Sequence, residues 1–395
     1  MARVTVPGFK FAGIACGIKK SRKKDLAVIF SERPATAAAL FTTNRVKAAP
    51  VLVGLKRMKR GVLQAVVVNS GNANACTGSQ GLGDAEAACR EAGLRLRIEP
   101  KLVFPSSTGV IGIPLPTEKM RRGIQEAAKK LSLKSFLHAA EAILTTDRFV
   151  KVATASCLLK GRRVVIAGMA KGAGMIAPNL ATMLVYILTD AAVERRCLDA
   201  ILRRSAEETF NRITVDGDMS TNDTVLFLAN GFAGNSPVRR GSREERVLGQ
   251  ATQRVMKELA VKLVGDGEGT TKVAEIRVDG SRSVAEAKKV AFAVANSKLV
   301  KTAFFGADPN FGRIMAAIGY AGVGIQPERI DVSFDGVIVV SKGVGINSTE
   351  RAAARVLRRP SFTVRIHLHH GKRFASVWTS DLGYEYIRIN SAYRT

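Results

Sequence analysis

The feature that most restricts the fold is the run Met183–Leu188, apolar at every position and bounded by Thr189 and Asp190. It has the length of a strand and reads as a buried one. The segment before it, KGAGMIAPNLAT from Lys171, is filled with small and turn-forming residues, Gly172, Ala173, Gly174, Pro178 and Asn179, and reads as a flexible loop feeding that strand. Thr182 stands at the junction, and the small Ala181 before it leaves its own carbonyl open to attack. A threonine in this position either begins a core strand or, once its own amine is freed, acts as a nucleophile. Both readings fit the residues.

A nucleophile needs a base. The four histidines, His138, His367, His369 and His370, do not accompany a Gly-x-Ser-x-Gly elbow or any spacing that marks a Ser/His/Asp or Cys/His pair. Cleavage between Ala181 and Thr182 would supply one, because a free α-amine titrates at about 7.7–8.0 and lies within reach of its own Oγ.

Composition narrows the classes. A chain of 395 residues, 46% hydrophobic, can build two or three domains. No stretch reaches about 18 uncharged apolar residues, so no membrane span is expected. The start, MARVTVPGFKF, has no apolar signal core, and a cytoplasmic location is the default expectation. Five widely spaced cysteines without a Cys-x-x-Cys pair read as small buried hydrophobes in a reducing compartment; Cys76 has no partner histidine. The net charge of +28 is scattered, as in KKSRKK from Lys19 to Lys24 and KRMKR from Lys56 to Arg60. Such a surface attracts polyanions at low salt, but aromatics are 6% and form no stripe among the basic clusters, so no specific nucleic acid is expected. No metal is expected either. The acidic segment Thr214–Asp223 lacks the glutamate that closes a calcium loop, and His367 and His369 share one strand face with no acidic companion expected nearby.

Strand-rich runs alternate with helices, which predicts an α+β fold of layered sheets flanked by helices. Short apolar runs alternating with turns are expected over Val28–Thr43, further β-rich segments at Val51–Leu55 and Val62–Val68, and a helix over Ala85–Ala92 stopped by Gly93. A strand Leu102–Phe104 is expected to end at Pro105 and enter a turn in which Thr108 and Gly109 set a hydroxyl beside an unobstructed N–H, the donor pair that a tetrahedral acyl intermediate requires. Helices follow at Glu118–Lys130 and Ser135–Leu144, then a hairpin around Lys160-Gly161, a helix Glu194–Asn211, a strand Val225–Asn230 and a helix Val247–Leu263. Glu268, between Gly267 and Gly269, sits in a loop that either lets a carboxylate approach a ligand or simply turns the chain. Further on, Phe362–Leu368 and Phe374–Thr379 are expected to pair across His370-Gly371-Lys372.

Four long motifs occur in a fixed order: VVNSGNANACTG (Val67–Gly78), SSTGVIG (Ser106–Gly112), KGAGMIAPNLATML (Lys171–Leu184) and VKTAFFGADPNFGR (Val300–Arg313). With the likeness running from GFKFAGIACGIKK to the terminal NSAYRT, the chain resembles the ornithine acetyltransferases, also called bifunctional glutamate N-acetyltransferases. The resemblance implies an autoprocessed N-terminal-threonine acyltransferase fold, cut between Ala181 and Thr182 into an α chain (1–181) and a β chain (182–395), with a smaller C-terminal α/β lobe from about residue 280. It implies acetyl transfer from N2-acetylornithine to glutamate in arginine biosynthesis, by a ping-pong route through acetyl-Thr182. No cofactor is implied, use of acetyl-CoA as a further co-substrate is left open, and the assembly expected is a heterotetramer of two α and two β chains. Carried onto this sequence, Thr108 and Gly109 form the oxyanion hole, while Lys171, Thr182, Glu268, Asn390 and Thr395 bind substrate. The family usually reads Thr-Thr-Asp-Thr-x-Pro-Lys where this chain has TTDRFVK, so Arg148 replaces a substrate-contacting threonine; it either clamps an acidic side chain or points to solvent. Two rivals stand beside this reading. One is an N-terminal-nucleophile amidohydrolase, in which water takes the acyl group, and the other is a basic nucleic-acid-binding protein that never cleaves itself.

Overall fold

A computed structural model of the chain describes residues 4–177 and 183–392, which fall into two compact units. The first runs to Asn211 and takes in Asp218–Leu263; the second combines Arg212–Gly217 with the chain from Val264 onward.

The first unit holds β1 (Phe9–Ile14), β2 (Leu26–Phe41), α1 (Ala49–Met58), β3 (Val62–Asn72), α2 (Gly78–Leu96), β4 (Val103–Val110), α3 (Thr117–Lys129), α4 (Phe136–Ala142), β5 (Lys151–Leu159), β6 (Arg162–Lys171), β7 (Leu184–Thr189) and α5 (Arg195–Glu207). After the short β8 (Ile213–Thr214) of the second unit come β9 (Thr224–Ala229) and α6 (Arg243–Gly265). The strands form one sheet in the order β4-β3-β2-β9-β7-β6-β5, with β1 beside the first half of β2. β2 belongs to two layers. Residues 26–31 pair with β1, residues 36–41 pair with β9, and the register with β3 shifts between Phe30 and Ala35.

That break folds the sheet upon itself. Ala27, Ile29, Val66, Val68 and Phe104 from the first layer share one core with Met169, Leu184, Tyr186, Leu188, Leu226 and Leu228 from the second. The alternate residues Leu26, Val28, Ala65 and Val67 face outward against α2 and α3, so each strand is apolar on both sides. On the far side of the second layer α6 comes so close that a Cβ on Gly168 would lie 2.7 Å from Leu259 Cδ1 and 2.8 Å from Ile187 Cδ1. The unbroken apolar run of β7 follows directly, with Leu184, Tyr186 and Leu188 in the inner core and Ile187 turned toward α6.

Three local expectations are corrected. Val51–Leu55 lies within the helix α1, which Pro50 opens and which buries Val51 and Val53; packing overrides the β-branched preference. β4 continues through Pro105 to Val110, tolerable because β4 is the edge strand and pairs with β3 alone. α2 passes Gly93 and ends at Leu96, since Gly93 serves close packing against Pro100 rather than a helix stop.

The second unit contains β10 (Val273–Ser281), α7 (Val284–Asn296), α8 (Lys298–Gly306), α9 (Phe311–Gly319), β11 (Asp331–Phe334), β12 (Val337–Ser341), β13 (Val344–Gly345), α10 (Glu350–Leu357), β14 (Ser361–His367), β15 (Arg373–Ser380) and α11 (Tyr384–Ala392). Its sheet runs β13-β12-β11-β14-β10-β15-β8 over a core that includes Ile276, Val290, Phe304 and Ile366. β14 and β15 do not pair with each other as expected. β10 lies between them, parallel to β14 and antiparallel to β15, and the linking His370 and Gly371 both donate their N–H to the Gly280 carbonyl as the chain rounds the end of β10. His369 also has an acidic companion after all, with Nε2 2.7 Å from Asp331 Oδ2.

α4 closes one side of the first unit's core through Phe136, fully buried and edge-on to Phe11 with centroids 5.0 Å apart. Phe136→Ala should lower the unfolding free energy by about 3–5 kcal/mol, whereas truncating the exposed Leu133 nearby should cost under about 0.5, both read from denaturant titrations.

Candidate active site

At one end of the two layers β6, β7 and β9 begin or finish together. Lys171, the last residue of β6, pairs with Leu184, the first of β7, and Leu184 pairs with Thr224, the first of β9. Met183 is held by both of its backbone groups: its N–H donates to Asp223 Oδ1 (2.8 Å), and its carbonyl accepts from Thr224 N (3.0 Å). Ala181 and Thr182 lie outside the described residues, as does Thr395, but Met183 is the residue bonded to Thr182, so this side of the junction is fixed.

Thr108 and Gly109 lie just before β4 ends at Val110, in the opposite layer. The Lys171 Nζ donates to Thr108 Oγ1 at 3.0 Å, and both side chains are buried, so this bond links the layers at their open end. Gly109 adopts φ +131, and a Cβ on it would sit 2.4 Å from the Gly71 carbonyl carbon; no other residue fits there without moving β3. A second link comes from Asn222, whose Nδ2 donates to Ala73 O (2.7 Å) and Ser107 O (2.8 Å). The asparagines of the Val67–Gly78 motif serve the backbone. Asn69 Nδ2 donates to Asn72 O, Asn72 Nδ2 to Ile113 O and Pro114 O, and Asn74 Nδ2 to Gly81 O. Cys76 is exposed, and burial pushes the thiols of Cys16 and Cys89 up to about 12.

The charge of the site centres on Asp147, in the loop between α4 and β5. Its side chain and that of Lys151 are wholly shielded from solvent, with Nζ 2.6 Å from Oδ1. The same Oδ1 accepts Gly172 N–H (2.7 Å), and Oδ2 accepts Thr145 N–H (2.8 Å). Burial by itself would raise this carboxyl; the charges of Lys151 and Lys171 and these hydrogen bonds outweigh it and hold Asp147 at about 2. Arg148, next along the loop, is exposed.

Glu268 and Asn390 belong to the second unit and meet there. Asn390 Nδ2, on α11, donates to Glu268 Oε2 (2.8 Å) and to Tyr386 O (2.9 Å), while Glu268 is buried. Gly269 (φ +72) permits the approach, since a Cβ on it would lie 2.5 Å from Tyr386 N.

Asp147, Lys151, Asn222 and Asp223 are not singled out by the sequence. The only sign of the first pair is opposite charge four residues apart in TTDRFVK, and the acids of Thr214–Asp223 resemble a metal loop rather than backbone anchors. Among the described residues no cluster of three or more His, Cys, Asp or Glu is arranged to hold a metal.

The ArgJ family model matches residues 10–395. The chain belongs to the ArgJ family. It is similar to the arginine biosynthesis bifunctional protein ArgJ of Geobacter sulfurreducens, 48% identical over 393 residues that make up 99% of this chain and all of that one. It is similar also to the protein so named from Symbiobacterium thermophilum, 48% identical over 395 residues covering 99% of this chain and 98% of the other. Among solved structures, the ArgJ protein of Bacillus halodurans aligns with a TM-score of 0.51 and 37% identity, over 53% of this chain and 98% of that chain. The chain is accordingly an acetyltransferase of arginine biosynthesis with small-molecule substrates, with the α+β layers expected from sequence. Membership decides against a protein that only binds nucleic acid. No helix among the described residues is long and apolar enough to cross a membrane.

Asp147→Asn should lower stability by about 3–5 kcal/mol at neutral pH, because it strands buried lysine charge. The native Asp147 sits near 2 against an ordinary 3.8, so its contribution is complete above about pH 4 and lost as pH falls toward 2. Urea titrations across that range should show an acid-labile component that is absent from the variant.

Proposed function

We propose that the chain cleaves itself between Ala181 and Thr182 and then transfers acetyl from N2-acetylornithine to glutamate. Thr182 Oγ attacks the Ala181 carbonyl carbon, the peptide C–N bond breaks to leave an ester and a free Thr182 amine, and water hydrolyses the ester. An α chain (1–181) and a β chain (182–395) result. The same Oγ then attacks the acetyl carbonyl of N2-acetylornithine, and the Thr182 amine passes the hydroxyl proton to the departing ornithine nitrogen. Glutamate's amine attacks the acetyl ester in turn, and the proton returns to Oγ.

The observation that carries this reading is the Lys171–Thr108 bond. By donating into a lone pair of Thr108 Oγ1, Lys171 leaves the hydroxyl hydrogen to be given elsewhere, and Gly109 follows with no side chain in the way. A hydroxyl and an N–H so placed suit a developing oxyanion, each donor worth about 2.7–4 kcal/mol to the transition state. Met183, which directly follows the proposed nucleophile in sequence, is itself anchored through its N–H to Asp223. The chain of the Bacillus halodurans structure, matched nearly end to end by 53% of this one, has the size of a fragment such as 182–395.

In this reading Lys171 also holds the substrate's α-carboxylate, Glu268 with Asn390 receives an ammonium, and Thr395 and Arg148 complete the substrate contacts. Acetyl-CoA is in this reading a second acetyl donor, and the ester chemistry needs no cofactor. Two α and two β chains would form the working particle, in the cytoplasm.

With both substrates supplied, N-acetylglutamate should appear in step with ornithine. Acetate released in its place would give the hydrolase reading instead. Thr108→Ala should lower kcat about 10²–10³-fold in protein that still folds.

A further inference from the structure

The KKSRKK run contains one lysine that is not surface charge. Lys20, Arg22 and Lys23 are exposed, and Lys24 pairs with Glu141, but Lys19 is half-buried. The loop that carries it, between β1 and β2, is built around Asp25, a fully buried carboxylate that accepts N–H bonds from Cys16 (2.7 Å), Ile18 (2.7 Å) and Lys19 itself (3.0 Å). Across the sheet the Asp25 carbonyl accepts from Ser70 N, and Ser70 lies opposite Thr108. The next pair in that register is Gly71 and Gly109. The Lys19 stem covers Gly71, where a Cβ would lie 3.0 Å from its Cγ. Lys19 is therefore fixed at the strand ends that carry Thr108 and Gly109.

From this placement we infer that Lys19 is a substrate-binding residue of the acetyl-transfer site, receiving the side-chain carboxylate of the acceptor glutamate. The inference rests on the reaction proposed above. Its ammonium donates one hydrogen bond, to the Lys24 carbonyl (2.7 Å); among the described residues no acceptor takes its other two hydrogens. The Asp25 oxygens nearest to it are occupied by backbone N–H groups, and Asp147 is bound to Lys151. Burial pushes the Lys19 ammonium down to about 8 although Asp25 and Asp147 pull the other way, so the group is poorly solvated where it stands. A cation short of solvent and of partners is stabilised by an incoming anion. Both substrates carry an α-carboxylate, which the reading above gives to Lys171. Glutamate alone has a second carboxylate, and Lys19 is a second cation in electrostatic range of Lys171 and Asp147.

The test compares glutamate with glutamine as acceptor in the self-cleaved enzyme, by kcat/KM for each. The native enzyme should prefer glutamate. K19M should lower the glutamate-to-glutamine ratio by about tenfold or more, and K19R, which keeps the charge, should retain most of it. General damage to the fold lowers both values together and leaves the ratio alone, so the ratio separates recognition from structural support. If K19M does not accumulate as folded protein, the ratio is read from K19Q. A ratio within about twofold of native in a variant without the charge would overturn the assignment. Absence of acetyl transfer in the native enzyme would overturn the reaction itself, a different result.

Discussion

The Asp147 carboxylate is the interaction on which the rest of the site depends. Removing ions from water costs several kcal/mol each, and the mutual attraction of a close pair recovers it only when geometry and further hydrogen bonds are favourable. Asp147 meets that condition with Lys151 at 2.6 Å and N–H donors from Thr145 and Gly172. One carboxylate answers two buried ammonium groups, because Lys171 also lies within its field. The Gly172 bond matters for another reason. It anchors the first residue of the loop that leads to the proposed scissile bond, while Asp223 and Thr224 anchor Met183, the residue that follows Thr182 in sequence.

The fold brings these parts together through the bend in β2. A flat sheet would leave the end of β4 several strands away from the end of β6, at about 4.8 Å per strand. Because β2 serves both layers, the sheet doubles over, and Thr108 on one layer comes within a hydrogen bond of Lys171 on the other. Asn222 strengthens the seam from the loop before β9. Glycine at 109 and 71 lets the two strand ends approach to where a backbone donor, a hydroxyl and the Lys19 stem crowd one edge.

How much of this was legible in the sequence varied with the range of the interaction. The buried strand β7 was readable from Met183–Leu188, since a strand covered on both faces must be apolar at every position, and most helices announced themselves by their spacing. Val51–Leu55 misled because a short run of valine, leucine and glycine after a proline fits a strand or a helix until packing chooses. The pairing of β14 with β15 misled because adjacency in sequence hides an insertion from far upstream, here β10. At the site, the motifs pointed to Thr108, Gly109 and Lys171, but nothing in TTDRFVK says that Asp147 is buried. Nor does a basic run such as KKSRKK reveal which of its lysines an aspartate at Asp25 will turn inward.

The central claim is that this chain carries its nucleophile as a new N-terminus. Intact mass and N-terminal sequencing of the purified, denatured protein test it most directly. The account predicts two fragments, one slightly under and one slightly over half of the 42.3 kDa chain, the larger beginning Thr-Met-Leu-Val. A single full-length chain that stays intact on prolonged incubation would contradict it.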